Sequence, residues 1–179
     1  AQWNKGQEAT RESIEGMRHR LPFPLLGIDP DSGSEFVNWH LKGWCDGRGI
    51  AMTRTRPYMK NDHARIEQKN YRNVRHIVGY SRYDDPRHTL LLNDLYAVLE
   101  DYINFFVPSM VCVKKERVGS RYIRRYDTAA TAYQRVLMHQ DIHAEVKEKL
   151  IQKYATLNPI ILKQQCDRAL SKLSKIPTR

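Results

Sequence analysis

Asp31 and Glu67 are the two acidic residues whose type and spacing point to chemistry. Asp31 lies in the polar run Asp29 to Gly33 that follows an apolar segment, Glu67 lies one turn into an amphipathic helix, and 35 residues lie between them. Carboxylate oxygens suit hard divalent ions such as Mg²⁺, which keep other positions for water and phosphate. Two such ions about 3.5–4 Å apart activate an attacking oxygen and stabilise a leaving one when a phosphodiester is cut and rejoined. An Asp–Glu pair at arbitrary spacing is more often two solvated surface acids. The surrounding residues therefore have to carry the reading.

Those surroundings are basic. The 179 residues hold 30 Lys+Arg against 20 Asp+Glu, a formal charge of +10, with a pI near 9.6. Such a balance favours a polyanionic partner, nucleic acid before membrane, over a merely soluble basic protein. Arg54, Arg56, Arg65, Arg72 and Arg75 flank the acidic pair and read as phosphate clamps, since phosphate contacts dominate affinity. Farther along, Lys114, Lys115, Arg117, Arg121, Arg124 and Arg125 face Glu116 alone, interleaved with Val111, Val113, Val118, Tyr122 and Ile123. That stretch is either a β-hairpin with Gly119-Ser120 at its tip or an extended arm. Backbone binding is its expected role, with a solvated loop as the bland alternative.

Other chemistries find little footing. Cys45, Cys112 and Cys166 are scattered, without CxxC spacing, and the seven histidines show no HxH pairing and join no Cys/His quartet. A zinc site is not indicated, and the thiols suit a reducing compartment. No GxxxxGK[ST] or GxGxxG motif is present, no run approaches a membrane span, and no signal peptide opens the chain. His40, His63 and His76 receive no role.

The elements that would position the acids read as follows. Trp3 to Arg20 is an amphipathic helix with Ala9, Ile14 and Met17 inward. Pro22 and Pro24 stop it. Phe23 to Ile28 is a buried strand, and its polar exit lies at the strand's C-terminal end, where ligands bind in open α/β sheets. Ser34 caps a helix over 35–45 with Phe36, Val37, Leu41 and Trp44 inward. Ile50 to Thr53 forms a second short strand. A helix over about 64–78 follows, capped by Asn61 or Asp62. At about 100° per residue, Arg65, Lys69, Arg72 and His76 form a basic stripe, and Ile66, Val74, Ile77 and Val78 form a core face with Glu67 at its margin.

A longer helix over 89–106 turns Leu91, Leu95, Leu99, Tyr102 and Phe106 inward. Two more follow at about 141–155 and from Asn158-Pro159 to about 175, the last with a Leu162, Cys166, Ala169, Leu173 seam.

Three runs now acquire meaning together: Asp31-Ser-Gly-Ser-Glu-Phe36, Arg56-Pro-Tyr-x-Lys-Asn-Asp62 and Glu67-x-Lys-Asn70. They resemble the integrase catalytic core of bacterial insertion-sequence transposases and retroviral integrases, the DDE superfamily, through its D-x-G-x-E-F motif and D-(35)-E spacing. Bacterial transposases with a helical C-terminal tail match nearly all of the chain. The resemblance implies a ribonuclease H-like fold and Mg²⁺-dependent polynucleotidyl transfer, with nicking at transposon ends and strand transfer into target DNA. It implies two Mg²⁺ (or Mn²⁺) ions, DNA as partner, a homo-oligomer, and a bacterial, nucleoid-associated cytoplasmic location.

Carried over, Asp31 is the second acidic ligand and Glu67 the third, while Lys60, Asn61, Lys69 and Asn70 match positions near the scissile strand. The family's first Asp and its three strands have no counterpart here. Asp29, two residues from Asp31, would crowd one ligand position. The expectation is an α/β chain: a partial ribonuclease H-like fold at 1–79, then a mostly helical extension at 80–179 with a basic arm at 111–126. It would be a fragment of a transposase or the product of a truncated gene, inactive by itself. The competing expectation is a non-catalytic nucleic-acid-binding or interaction module derived from a transposase.

Overall fold

A computed structural model describes residues 1–4, 6–30, 33, 36, 39–54 and 66–178, with Trp39 described in its backbone alone. The expected cap Ser34, together with Val37, Asn61 and Asp62, lies outside the described residues. The chain forms two compact units, Ala1–Leu92 with Leu173–Arg179, and Asn93–Lys172. It mixes helix and strand, as an α/β reading requires.

In the first unit, α1 spans Gln7–Arg20. It starts four residues later than the apolar pattern predicts. Gly6 stands at its N-cap, and the Gly6 N–H donates to Asn4 Oδ1 at 2.7 Å instead of entering a helix. Ile14 packs on the core as expected, whereas Met17 is exposed. The strand expected over Phe23–Ile28 shrinks to β1, Gly27–Ile28. Pro22 and Pro24 have no N–H to offer a ladder, and Leu26 points outward at 78% exposure.

The helix α2, Trp39–Asp46, carries the chain to β2, Ala51–Met52. β1 and β2 are parallel, with Gly27 beside Ala51 and Ile28 beside Met52. The Ala51 N–H donates to the Leu26 carbonyl at 2.9 Å and the Thr53 N–H to that of Ile28 at 3.1 Å. A strand–helix–strand crossover of this kind is the unit from which α/β sheets are built. Leu41, Trp44, Cys45 and Ile50 form its core, joined by Ile14, Leu25, Ile28, Phe36 and Met52. The Arg48 guanidinium lies 4.7 Å from the centroid of the Trp44 ring, and burial pushes the Cys45 thiol up.

The next helix, α3, is described over 66–70, the π-helical turn Tyr71–Arg75 and His76–Val78. It ends at Gly79, whose φ of 74° and ψ of −156° fall in a region that is essentially glycine's own. The π turn corrects the angular reading. An extra residue in that turn rotates the face before it by about 100° against the face after it. Val74, Ile77 and Val78 are accordingly half-buried, while Ile66 is exposed.

The long helix α4 covers Pro86–Phe106. Pro86 is a good first helical residue, and Asp85 caps it: Oδ1 accepts from the Arg87 N–H at 2.8 Å. The buried His88 completes the cap, its Nδ1 accepting from the Asp85 N–H at 3.2 Å. Its ring packs edge-on to Tyr83, centroids 5.1 Å apart. Leu95 and Leu99 are buried as the periodicity predicts.

In the second unit the hairpin strands β3, Cys112–Val118, and β4, Arg121–Tyr126, lead to α5, Ala132–Met138, α6, Ala144–Thr156, and α7, Pro159–Leu173. Asn158 caps α7, its Oδ1 accepting from the Ile160 and Ile161 N–H groups at 2.9 and 3.2 Å. Leu162, Cys166 and Leu173 are buried along the expected seam. Phe105 of α4, Tyr133 of α5 and Tyr154 of α6 form an aromatic stack, the two tyrosines 4.8 Å apart and 16° from parallel.

Candidate nucleic-acid interface

Two basic regions emerge, one in each unit. In the first, Thr53 Oγ1 donates to Asp29 Oδ1 at 2.8 Å, which ties the exits of β1 and β2 together. This bond engages one oxygen of the Asp29 carboxylate. Arg54 lies exposed just past β2. Glu67, Lys69, Asn70, Arg72 and Arg75 are all exposed on α3. Among the described residues Glu67 has no ion-pair partner. The Arg75 guanidinium lies 5.1 Å from the centroid of the Tyr80 ring.

Asp31, Arg56, Lys60, Asn61 and Arg65 lie outside the described residues. The expected meeting of Asp31 with Glu67 therefore has no distance here. Among the described residues no three His, Cys, Asp or Glu side chains converge as a metal site would require.

The second region is the hairpin, whose residues are all described. Val118 pairs with Arg121 around Gly119-Ser120, with Gly119 at φ 62°. Two-residue loops with positive φ at the first position match the twist of a hairpin. The register sets Lys114 opposite Arg125, Lys115 opposite Arg124, Glu116 opposite Ile123 and Arg117 opposite Tyr122. An irregularity between Cys112 and Lys114 lets Cys112 pair with Tyr126.

Successive residues of a strand point to opposite faces, so the two faces differ in kind. One holds Lys115, Arg117, Tyr122, Arg124 and Tyr126. The other holds Lys114, Glu116, Val118, Arg121, Ile123 and Arg125, with Lys114 ion-paired to Glu116. Like charges directly opposite each other destabilise a sheet. Lys115 opposite Arg124 and Lys114 opposite Arg125 are two such pairs.

The base of the hairpin is held firmly. Arg135 Nη1 donates to Asp127 Oδ2 at 2.6 Å and Nη2 to the Ser109 carbonyl at 2.7 Å. The Val111 N–H donates to Asp127 Oδ1 at 2.6 Å. The Arg135 guanidinium first, and that N–H second, hold the Asp127 carboxyl below the ordinary carboxylate range. Thr131 and Gln134 form a reciprocal capping box at the start of α5.

Sequence reading missed this clamp, and it missed α5, although Thr131-x-x-Gln134 is a recognised helix-start signal. It also left unnoticed that Tyr126 shares a face with Tyr122 and Arg124. The two-residue period of β4 was the signal for that.

No family model matches the chain. It is 42% identical over 123 residues to the uncharacterized protein y4rM of Sinorhizobium fredii (strain NBRC 101917 / NGR234), covering 65% of this chain. The chain spans 35% of the length of that relative, whose name states no activity. No helix among the described residues is long and apolar enough to cross a membrane.

Proposed function

We propose that the chain is part of a DDE-type transposase or integrase and that its chemistry is polynucleotidyl transfer. The order of elements in the first unit carries the reading. A helix precedes β1, α2 crosses between parallel β1 and β2, and α3 follows with Glu67 near the start of its described part. That succession agrees with the last two strands and flanking helices of a ribonuclease H-like core. Asp31 comes three residues after Ile28, the last residue of β1.

In this reading Asp31 and Glu67 are acidic ligands for Mg²⁺ or Mn²⁺, and the family's first Asp has no counterpart in the sequence. Glu67 fits the role: it is exposed, lacks an ion-pair partner among the described residues, and lies on the same stretch of helix as Lys69, Asn70 and Arg72. When bound, the metal pair would activate the attacking oxygen and stabilise the leaving one. The chain's own part is to hold phosphates with Arg54, Lys69, Arg72 and Arg75, and with Arg56, Lys60, Asn61 and Arg65. DNA is the proposed partner and self-association the proposed assembly. A second reading, a binding module without catalysis, is favoured by the hairpin, which carries six cations and one acid.

Mn²⁺ titration of the full chain, followed by electron paramagnetic resonance, tests the metal reading. A saturable site should be lost in Asp31→Asn plus Glu67→Gln. Glu67→Gln alone should change unfolding stability by no more than about 0.5 kcal/mol, as expected for an exposed side chain, so lost metal affinity reports a ligand. Equal Mn²⁺ binding by wild type and double variant would sink the reading.

A further inference from the structure

The two faces of the hairpin invite different partners, and the difference does not depend on a metal site. Along β4, Tyr122, Arg124 and Tyr126 alternate on one face, with Lys115 and Arg117 beside them from β3. That face carries three cations and no acid. Tyr122 and Tyr126 are 51% and 53% exposed, so neither ring is used to fill a core. Lys115 Nζ lies 4.3 Å from the Tyr122 centroid, and Arg117 Nε donates to the Gly119 carbonyl at 3.2 Å. Both cations thus stay on the hairpin.

We infer that this face binds a single-stranded polynucleotide, with bases against the Tyr122 and Tyr126 rings and phosphates against Lys115, Arg117 and Arg124. The strand repeat sets the spacing. Alternate residues lie about 6.7 Å apart, so the two rings stand roughly 13 Å apart with a guanidinium between them. They are too distant to stack on each other and well placed for two bases separated along an extended backbone.

Exposed aromatics interleaved with cations are the recurring design of single-strand binding surfaces, because every base has a face to stack. A duplex keeps its bases stacked on one another and would use the cations alone. Charge separates the two faces as well. The like-charge pair Lys115 and Arg124 has no acid on its face, and a phosphate would relieve it. On the opposite face Glu116 already serves Lys114 and would repel a phosphate.

Fluorescence anisotropy of the full chain with a labelled 20-nucleotide single strand and with the same sequence as a duplex, both in EDTA, tests this. Tighter binding of the single strand is expected. Tyr122→Ala plus Tyr126→Ala should weaken single-strand binding about thirtyfold, from the stacking of two bases, and duplex binding by less than about twofold. Tyr122→Phe plus Tyr126→Phe should retain single-strand binding, and Ile123→Ala on the opposite face should leave it unchanged.

Because both rings are exposed, far-UV circular dichroism should match wild type in every variant. Preference for the duplex, equal losses on the two probes, or an equal loss in Ile123→Ala would overturn the assignment. Since EDTA is present throughout, these outcomes are separate from those of the Mn²⁺ titration.

Discussion

Helix α3 and the hairpin are both basic and both largely exposed, yet they distribute their charges differently. Along α3 an exposed carboxylate, Glu67, lies within six residues of Lys69, Asn70 and Arg72, so charges of both signs occur on one short stretch of helix. Such mixing suits a cation held near a phosphate. The hairpin segregates its charges, keeping its one acid on one face and leaving the face of Lys115, Arg117 and Arg124 without an acid. That arrangement suits a polyanion directly. Net charge alone would class the two regions together. The placement of a single glutamate separates them.

Their supports differ too, and the largest expected effect lies there. The hairpin buries almost nothing of its own, and a bare two-stranded ribbon is marginal in water. Its unit depends on the Phe105, Tyr133 and Tyr154 stack and on the Asp127–Arg135 clamp. Phe105 is 6% exposed. Phe105→Ala should therefore cost about 3–5 kcal/mol, the usual loss for a buried aromatic, read from urea unfolding. A loss below about 1 kcal/mol would show that the stack does not support the second unit, and the contrast with the first unit would need another basis.

How far the sequence revealed this depends on what each feature rests upon. Buried seams were legible because a helix repeats its faces: Leu95, Leu99, Leu162, Cys166 and Leu173 lie where the 3.6-residue period puts them. The hairpin was legible as one of two alternatives, because Gly119-Ser120 between alternating apolar residues is a turn signal. Three features were hidden. The π turn at Tyr71–Arg75 leaves no mark in a periodicity plot, so Ile66 was placed on the wrong face. Paired prolines shortened β1 by withholding donors from the ladder. The Asp127–Arg135 clamp joins residues eight apart across a bend, a contact set by the chain's path and not by any repeat. As for the proposed site, Glu67 was named through resemblance alone. Its chemistry rests on Asp31, outside the described residues.

Two glycines sharpen the comparison at a smaller scale. Gly79 ends α3 with φ 74° and ψ −156°, and Gly119 turns the hairpin with φ 62°; an added Cβ would meet nothing within 4 Å at either. The cost of alanine is therefore backbone strain and not collision. Gly79→Ala should lose about 1–3 kcal/mol, because that region excludes side chains. Gly119→Ala should lose about 1–2 kcal/mol, the lesser penalty of a left-handed residue. Hydrogen exchange should locate the first loss in the last turn of α3 and the second in β3 and β4 alone. Protection lost across the whole second unit in Gly119→Ala would mean that the hairpin is integral to that unit and not an arm upon it.

Acid gives the mildest test, through one carboxylate in each unit. Asp85 is pushed down to about 2, first by hydrogen bonds from the Arg87 side chain, then by the Arg87 backbone N–H. Asp127 is lowered by Arg135 and by the Val111 N–H. Both groups bind a proton less readily folded than unfolded, where a carboxylate titrates near 3.9. Their stabilisation is thus complete above about pH 4 and is lost as pH falls through the folded value, for Asp85 between about 4 and 2. Melting temperatures taken from pH 5 down to pH 2 should show Asp85→Asn with a shallower acid decline than wild type. Asp127→Asn should be shallower too, and its exchange protection should fade first at Val111. An unchanged slope in Asp85→Asn would mean that the cap on α4 contributes nothing through charge, leaving the bond from the His88 N–H to the Asp85 carbonyl, 2.9 Å long, to hold that helix start.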